Sequence, residues 1–189
     1  MRRRALAPPT ERLSNRRRRG GRGIGRVLAA IALLVVLVVT GFYLWLRSSL
    51  PQTTGRLAVA GLEAAVSLYR DRDGVPHIFA ATMRDGYRAL GVVHAQDRLF
   101  QMDFERRLGQ GRLSEVAGPA TLSVDRMMRT LDVAGAAERS LAGLSPEVRD
   151  ALAAYADGVN SVIDQWRGAG PPEYYVLRTA PAPGGPPTR

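Results

Sequence analysis

Cysteine and lysine are both absent from this chain of 189 residues, and histidine occurs only twice. Without cysteine there is no disulfide, no thiol nucleophile and no thiolate metal site, and the redox compartment stays open. Two histidines alone supply a zinc-type centre poorly. Every basic side chain is arginine; we take this as the mark of a GC-rich coding sequence and draw no chemistry from it. What charge there is lies unevenly. Residues 1–26 hold ten arginines and one acid, Glu11, a net of +9, which leaves 17 arginines against 16 acids over the other 163 residues. The pI of 11.2 is therefore a property of the tail. The length has room for one modest globular domain and an accessory segment.

After Arg26 comes VLAAIALLVVLVVTGFYLWL, residues 27–46, with no charge before Arg47. At 1.5 Å per residue such a helix spans ~30 Å, the thickness of a bilayer hydrocarbon core. Tyr43 and Trp45 stand at its far end, where amphipathic rings prefer the headgroup level, and the arginine excess lies wholly before it. The expectation is a signal anchor with a cytoplasmic tail at 1–26, a linker at 47–63 and the rest outside the cytoplasm. Two rival readings fit less well. A cleaved leader usually has ~7 to 15 apolar residues, fewer than here, although Ala58-Val59-Ala60 has the small-residue form of a cleavage site. Nucleic-acid binding by Arg16 to Arg19 is disfavoured, since no aromatic residues interleave the run and lipid explains it. The lipid bilayer is thus an expected partner, and nucleic acid is not.

Beyond the linker, AAVSLYRDRDGVPHIFAA reads as two short strands around Asp73-Gly74, with Val66 and Leu68 alternating with Ser67 and Tyr69. From about Met83 to Val116 the period becomes helical: Val93, Phe100, Phe104 and Leu108 share a stripe, with Arg88, Arg98, Glu105 and Arg112 off it. A second helical region is expected from Asp125 to about Ala142. The third is the clearest, with Ser145 as N-cap, Pro146 in the first turn, and Val148, Leu152, Tyr155, Val159, Val162 and Trp166 on one face. After Gly168, proline and glycine predict an extended arm without regular helix. The fold class expected is α+β, mainly helical, with an N-terminal hairpin.

One residue resists the pattern: Asp97 falls on the apolar stripe of the first helix. A buried carboxylate must find donors or a cation. His94 and Gln101 are within reach on its own helix, but a cation from another segment suits it better. Three readings compete. The favoured one is a structural polar network in which Gln96, Asp97 and Arg98 tie the helix to its neighbours. The others are metal ligation by His94 and Asp97 with His77, and acid–base work by His94 and Asp97, which lacks an activated nucleophile beside it.

The stretches RDRDGVPHIFA, ALGVVHAQDRLFQMDFERRLGQGRLSEVAG, YADGVN and PPEYYVL together resemble the N-terminal part of the penicillin acylase family, amide hydrolases of the N-terminal nucleophile superfamily. The resemblance runs from about Ala64 to Pro183. It implies that residues 64–183 are a partial α-chain domain of an αββα fold, and that His77, His94, Gln96, Asp97, Arg98, Gln101, Arg107 and Gly111 belong to a structural motif, none of them catalytic. In the family a serine at the head of a β chain attacks the amide, with its own α-amine as base. The complete enzyme would act on linear amides such as acylated β-lactams, acyl-homoserine lactones or lipopeptides. Its calcium would be held further along the α chain, and this chain would carry no cofactor. The partner expected is a catalytic β chain, missing or separately encoded. Where the family continues, this sequence has PAPGGPPTR, which suggests a truncation, a frameshift or a split gene and a disordered end at 184–189. The alternative is a non-catalytic assembly or binding module that docks to such a chain.

Overall fold

The apolar run becomes one helix, α1 (Arg17–Ser48), the first element of a computed structural model that describes residues 17–166 and 170–183. The first sixteen residues of the basic tail, Gly168 and the end at 184–189 lie outside the described residues. Contacts divide the chain into two units, Met1–Arg47 and Ser48–Arg189. In the first, Gly23–Ser48 is the one helix among the described residues long and apolar enough to cross a bilayer, and none of it is buried by protein. A soluble core helix would bury at least one face; here the leucines and valines are exposed all round. Phe42 and Trp45 lie against each other near its C-terminal end, ring centroids 5.8 Å apart.

In the second unit the hairpin forms as its alternation predicts. Strand β1 (Ser67–Arg70) pairs antiparallel with β2 (Pro76–Phe79), Leu68 opposite Ile78 and Arg70 opposite Pro76. Pro76 opens its strand, where a missing N–H costs least. The turn is held by Asp71, whose carboxylate accepts from the N–H of Asp73 at 3.0 Å and of Val75 at 2.9 Å, and by Gly74 at φ +80.

Helix α2 (Met83–Gly109) starts at Thr82, whose hydroxyl accepts from Asp85 N–H at 3.1 Å. It is not straight: Arg98 sits at φ −152, ψ 34, outside helical values. The buried positions nevertheless keep one register across the kink. Along α2 the buried positions include Asp85, Arg88, Val92, Ala95, Leu99, Asp103 and Arg107, steps of three and four, whereas Asp97 is on the exposed side. Two expectations are therefore corrected. Asp97 does not lie on the buried stripe, and Arg88, expected on the solvated face, is only 3% exposed.

Helix α6 (Pro146–Gln165) keeps its expected Ser145 cap and packs along α2. The two cross at glycines. A Cβ on Gly158 would lie 2.0 Å from the Arg88 carbonyl oxygen, and one on Gly91 2.1 Å from that of Tyr155. Any side chain at either position would drive the backbones apart. Val92, Ala95 and Leu99 of α2, Val159 and Val162 of α6, and Tyr174 form the core, with Leu57, Val59, Phe100 and Trp166 packed at its margin.

Three element boundaries differ from expectation. The first helical region ends at Gly109; Gly111 at φ +62 turns the chain into the short α3 (Ser114–Ala117). The second region is two helices, α4 (Leu122–Thr130) and α5 (Val133–Ala142), because Asp132 adopts a left-handed conformation, φ 52, between them. The proline-rich arm contains α7 (Pro172–Val176). Proline obstructs a helix interior but fits the first turn, and Pro172 stands there.

Candidate functional site

The motif of α2 is built around three buried acids and two buried arginines. Asp85, fully buried, accepts from the N–H groups of Glu63 and Ala64, each at 3.0 Å. The Glu63 N–H is the main cause that holds its carboxyl below the usual aspartate value, against the opposing effect of burial. Asp125 of α4 repeats the device, accepting from Leu113 N–H at 2.7 Å and Ser114 N–H at 2.9 Å. Burial alone would push its pKa up, but the bonds from Ser114 and Leu113 outweigh it and the net shift is downward. Each acid grips two consecutive backbone donors at a point where the chain changes direction, before β1 and after α2.

Arg88 links three segments. Its guanidinium donates to Gly61 O and, at 2.6 Å, to Asp157 of α6. Arg107 does the same at the other end of α2: it donates to Asp103 at 3.0 Å, Glu115 at 3.0 Å and Ala180 O at 3.1 Å. Its neighbour Arg106 donates to Asp103 at 2.7 Å and to the carbonyls of Ala182 and Pro183, so the arm after α7 is strapped to α2. Tyr174 lies beside this network. Its hydroxyl is buried with no partner in hydrogen-bond geometry among the described residues, and burial, then the Asp103 charge, pushes its ionisation far upward.

The eight motif residues singled out in the sequence fall on different contacts. Asp97 accepts both arms of Arg70 from β1, at 3.0 and 2.8 Å, which supplies the cation from another segment. Gln96 donates to Gln52 O at 2.9 Å, and Gln101 to Glu105 at 3.0 Å on its own helix. Arg98 is exposed at the kink. His94 Nδ1 is 3.0 Å from the Tyr155 hydroxyl, while His77 Nε2 is 3.3 Å from Asp71 in the hairpin. The structure thus does not bring His77, His94 and Asp97 together, and among the described residues no three acids or histidines cluster as metal ligands would. Gly111 is required by space as well as by φ, since a Cβ there would lie 2.6 Å from Arg129 Cγ and 2.7 Å from Asp125 O.

Sequence reasoning missed Asp85, Arg88, Asp103, Asp125 and Asp157. The signal was present: Asp85, Arg88, Asp103 and Arg107 sit in register with Val92, Ala95 and Leu99, a buried face with charged ends. YADGVN is explained by the same crossing. Tyr155 meets His94, Asp157 meets Arg88, and Gly158 lets the backbones touch. A cavity of about 530 Å³ opens between the segment at 52–57, β1 and α2, lined by Leu57, Val59, Leu68, Ala89, Val92 and Gln96 among others. None of the described residues lining it is an acid or a histidine. What this arrangement does chemically is to hold backbone in place.

The penicillin amidase family model matches residues 65–186. The chain belongs to the penicillin amidase family. It is 42% identical over 139 residues to the penicillin acylase 2 proenzyme of Pseudomonas sp. (strain SE83), covering 73% of this chain and 18% of that protein. It is 41% identical over 150 residues to the acyl-homoserine lactone acylase QuiP of Pseudomonas aeruginosa, 77% of this chain and 18% of the relative. The chain thus spans less than a fifth of the length of the curated relatives it matches. Among solved structures it is similar to a thermostable penicillin G acylase from Alcaligenes faecalis, with TM-score 0.59, 37% identity, and coverage of 64% of this chain and 65% of that one. Near-equal coverage of both means that the matched chain of the solved acylase is of about this chain's length.

Proposed function

We propose that this chain is the N-terminal framework section of a membrane-anchored amidase of the penicillin acylase kind, with the reaction centre supplied by another polypeptide segment. The observation that carries it is that the buried charges of this section are spent on structure: Asp85, Arg88, Asp103, Arg107 and Asp125 all bond backbone or an oppositely charged side chain. In the complete enzyme a serine heading the other segment would attack the amide carbonyl, its α-amine taking the proton, while preorganised N–H donors hold the oxyanion. Linear amides such as acylated β-lactams, acyl-homoserine lactones or lipopeptides are the substrate class. Asp85 and Asp125 each accept two backbone N–H groups and Asp103 two guanidinium groups, so a calcium ion of the complete enzyme would not draw on them. Its ligands would come from another segment.

The anchor reading is supported by α1, and a cytoplasmic tail by the arginine excess ahead of it. The test uses the full chain in lipid nanodiscs with a chromogenic acyl amide. Alone it should turn over no faster than a mock preparation; co-expressed with a serine-headed β chain of the family it should gain activity. Turnover by the chain alone, lost on substitution of one of its own residues, would sink the proposal. A second reading, a docking module without catalysis, is favoured by the exposed aromatic pair Tyr69 and Phe79 on the hairpin, centroids 6.0 Å apart. It predicts a stable complex with that β chain and no turnover.

A further inference from the structure

Ala58-Val59-Ala60 has the form of a leader-cleavage site and follows the apolar span. The fold uses these same residues. Gln165 of α6 donates to Ala58 O at 3.0 Å, Gln96 of α2 to Gln52 O at 2.9 Å, and Leu57 and Val59 pack against the core. On the other side of Ala60, Arg88 donates to Gly61 O, and Asp85 takes the N–H groups of Glu63 and Ala64. Gly61 lies so close to Arg88 that a Cβ would stand 2.8 Å from its Nη1.

A chain cut after Ala60 would begin with the α-ammonium of Gly61. That new terminus would stand beside the Arg88 guanidinium, only 3% exposed, in a cluster that already holds the carboxylates of Asp157 and Asp85. The cut would also remove Gln52, Leu57, Ala58 and Val59, and with them two cross-segment hydrogen bonds and part of the core margin. Cleavage and folding therefore compete for the same segment.

We infer that the anchor is permanent: residues 52–64 are a strap built into the second unit, and Ala58–Ala60 is not a maturation site. This rests on the assignment of α1 as a membrane anchor. The experiment is to express the full chain in a bacterial host, wash the membranes with carbonate, and determine intact mass and N-terminal sequence. The expected result is uncut chain in the membrane pellet. A species beginning at Gly61 overturns the inference and leaves the family assignment untouched. Uncut chain in the soluble fraction overturns the anchor and the inference with it, so the N-terminus tells the two failures apart. Hydrogen exchange on the full chain in nanodiscs gives an independent measure. The amides of Glu63 and Ala64 should exchange at least tenfold more slowly than those of Thr53 to Gly55, and Asp85→Asn should speed them. Equal rates throughout 52–64 would mean that no strap exists.

Discussion

Helices α2 and α6 meet backbone to backbone, whereas α4 and α5 leave large apolar side chains in the open. At the first crossing, Gly91 and Gly158 leave no room for a methyl group. In the second region Leu122 is 44% exposed, Met127 50%, Leu131 63% and Val133 41%, and α5 buries none of its residues. Yet α4 is not adrift, for Asp125 and Arg129 bond the backbone around Gly111. The difference shows where this chain completes its own packing and where its apolar surface is uncovered. The inner pair is fixed by close backbone contact; α4 of the outer pair is held by the Asp125 and Arg129 clamps.

The comparison is most directly broken at the crossing. Gly158→Val should destabilise the second unit by more than about 3 kcal/mol, the upper end for overpacking, because even its Cβ collides with a carbonyl that has no side-chain freedom to yield. Gly109→Ala, with nothing within 4 Å of the added carbon, should instead stabilise by up to ~1 kcal/mol through helix propensity. Chemical unfolding of the full chain followed by circular dichroism reads both. Similar effects of the two substitutions would mean that the helices are not in backbone contact. Next in size is Arg107→Met, which leaves Asp103 with Arg106 alone and frees Ala180 O. A loss of about 3 kcal/mol is expected, the low end for breaking a buried ion pair, since one partner remains. Proteolysis within 178–183 should accelerate with it.

Much of this architecture is legible in the sequence, and the illegible part has identifiable causes. Ser145 and Pro146 give α6 its start and Asp73-Gly74 gives the hairpin its turn, but of the apolar face expected on α6 only Val159 and Val162 are buried, while Val148 and Leu152 stay exposed. The kink at Arg98 is invisible to periodicity. Burial runs in one register through Asp85, Arg88, Val92, Ala95, Leu99, Asp103 and Arg107, beside the stripe drawn through Val93, Asp97, Phe100 and Leu108, and its charged members do not count as apolar in a periodicity. The buried acids escape for another reason: a charge in a helix is ordinarily solvated, and only tertiary contact supplies the paired N–H donors that let Asp85 and Asp125 go inside. The division of α4 from α5 turns on one backbone angle at Asp132, a residue type that tolerates the left-handed region more readily than most.

Those acids also give the clamps a pH signature. Asp85 and Asp125 are held below the ordinary aspartate value of 3.8, so their contribution is present above that value and is lost as pH falls through the lower folded values. Stability of the second unit should therefore be flat from about pH 6 to pH 5 and decline steeply below about pH 4. Asp85→Asn should lower the plateau and flatten the acid limb, since the amide has no proton to gain there. An unchanged acid limb would mean that Asp85 is not an ionised clamp in the folded chain.

The smallest effect is expected where the chain leaves its surface uncovered. Leu131→Ser removes an apolar side chain that is 63% exposed. In the chain alone it should change stability by no more than about 0.5 kcal/mol, as surface substitutions do. If the face is covered by the β chain, the same substitution should weaken assembly with it, read as a lower yield of complex at fixed concentration. The two measurements bear on different halves of the comparison. Little change in the chain alone with normal assembly would leave the face without an assigned cover, whereas a loss above about 1.5 kcal/mol in the chain alone would show that α4 and α5 already bury it, and the contrast with the glycine crossing would vanish.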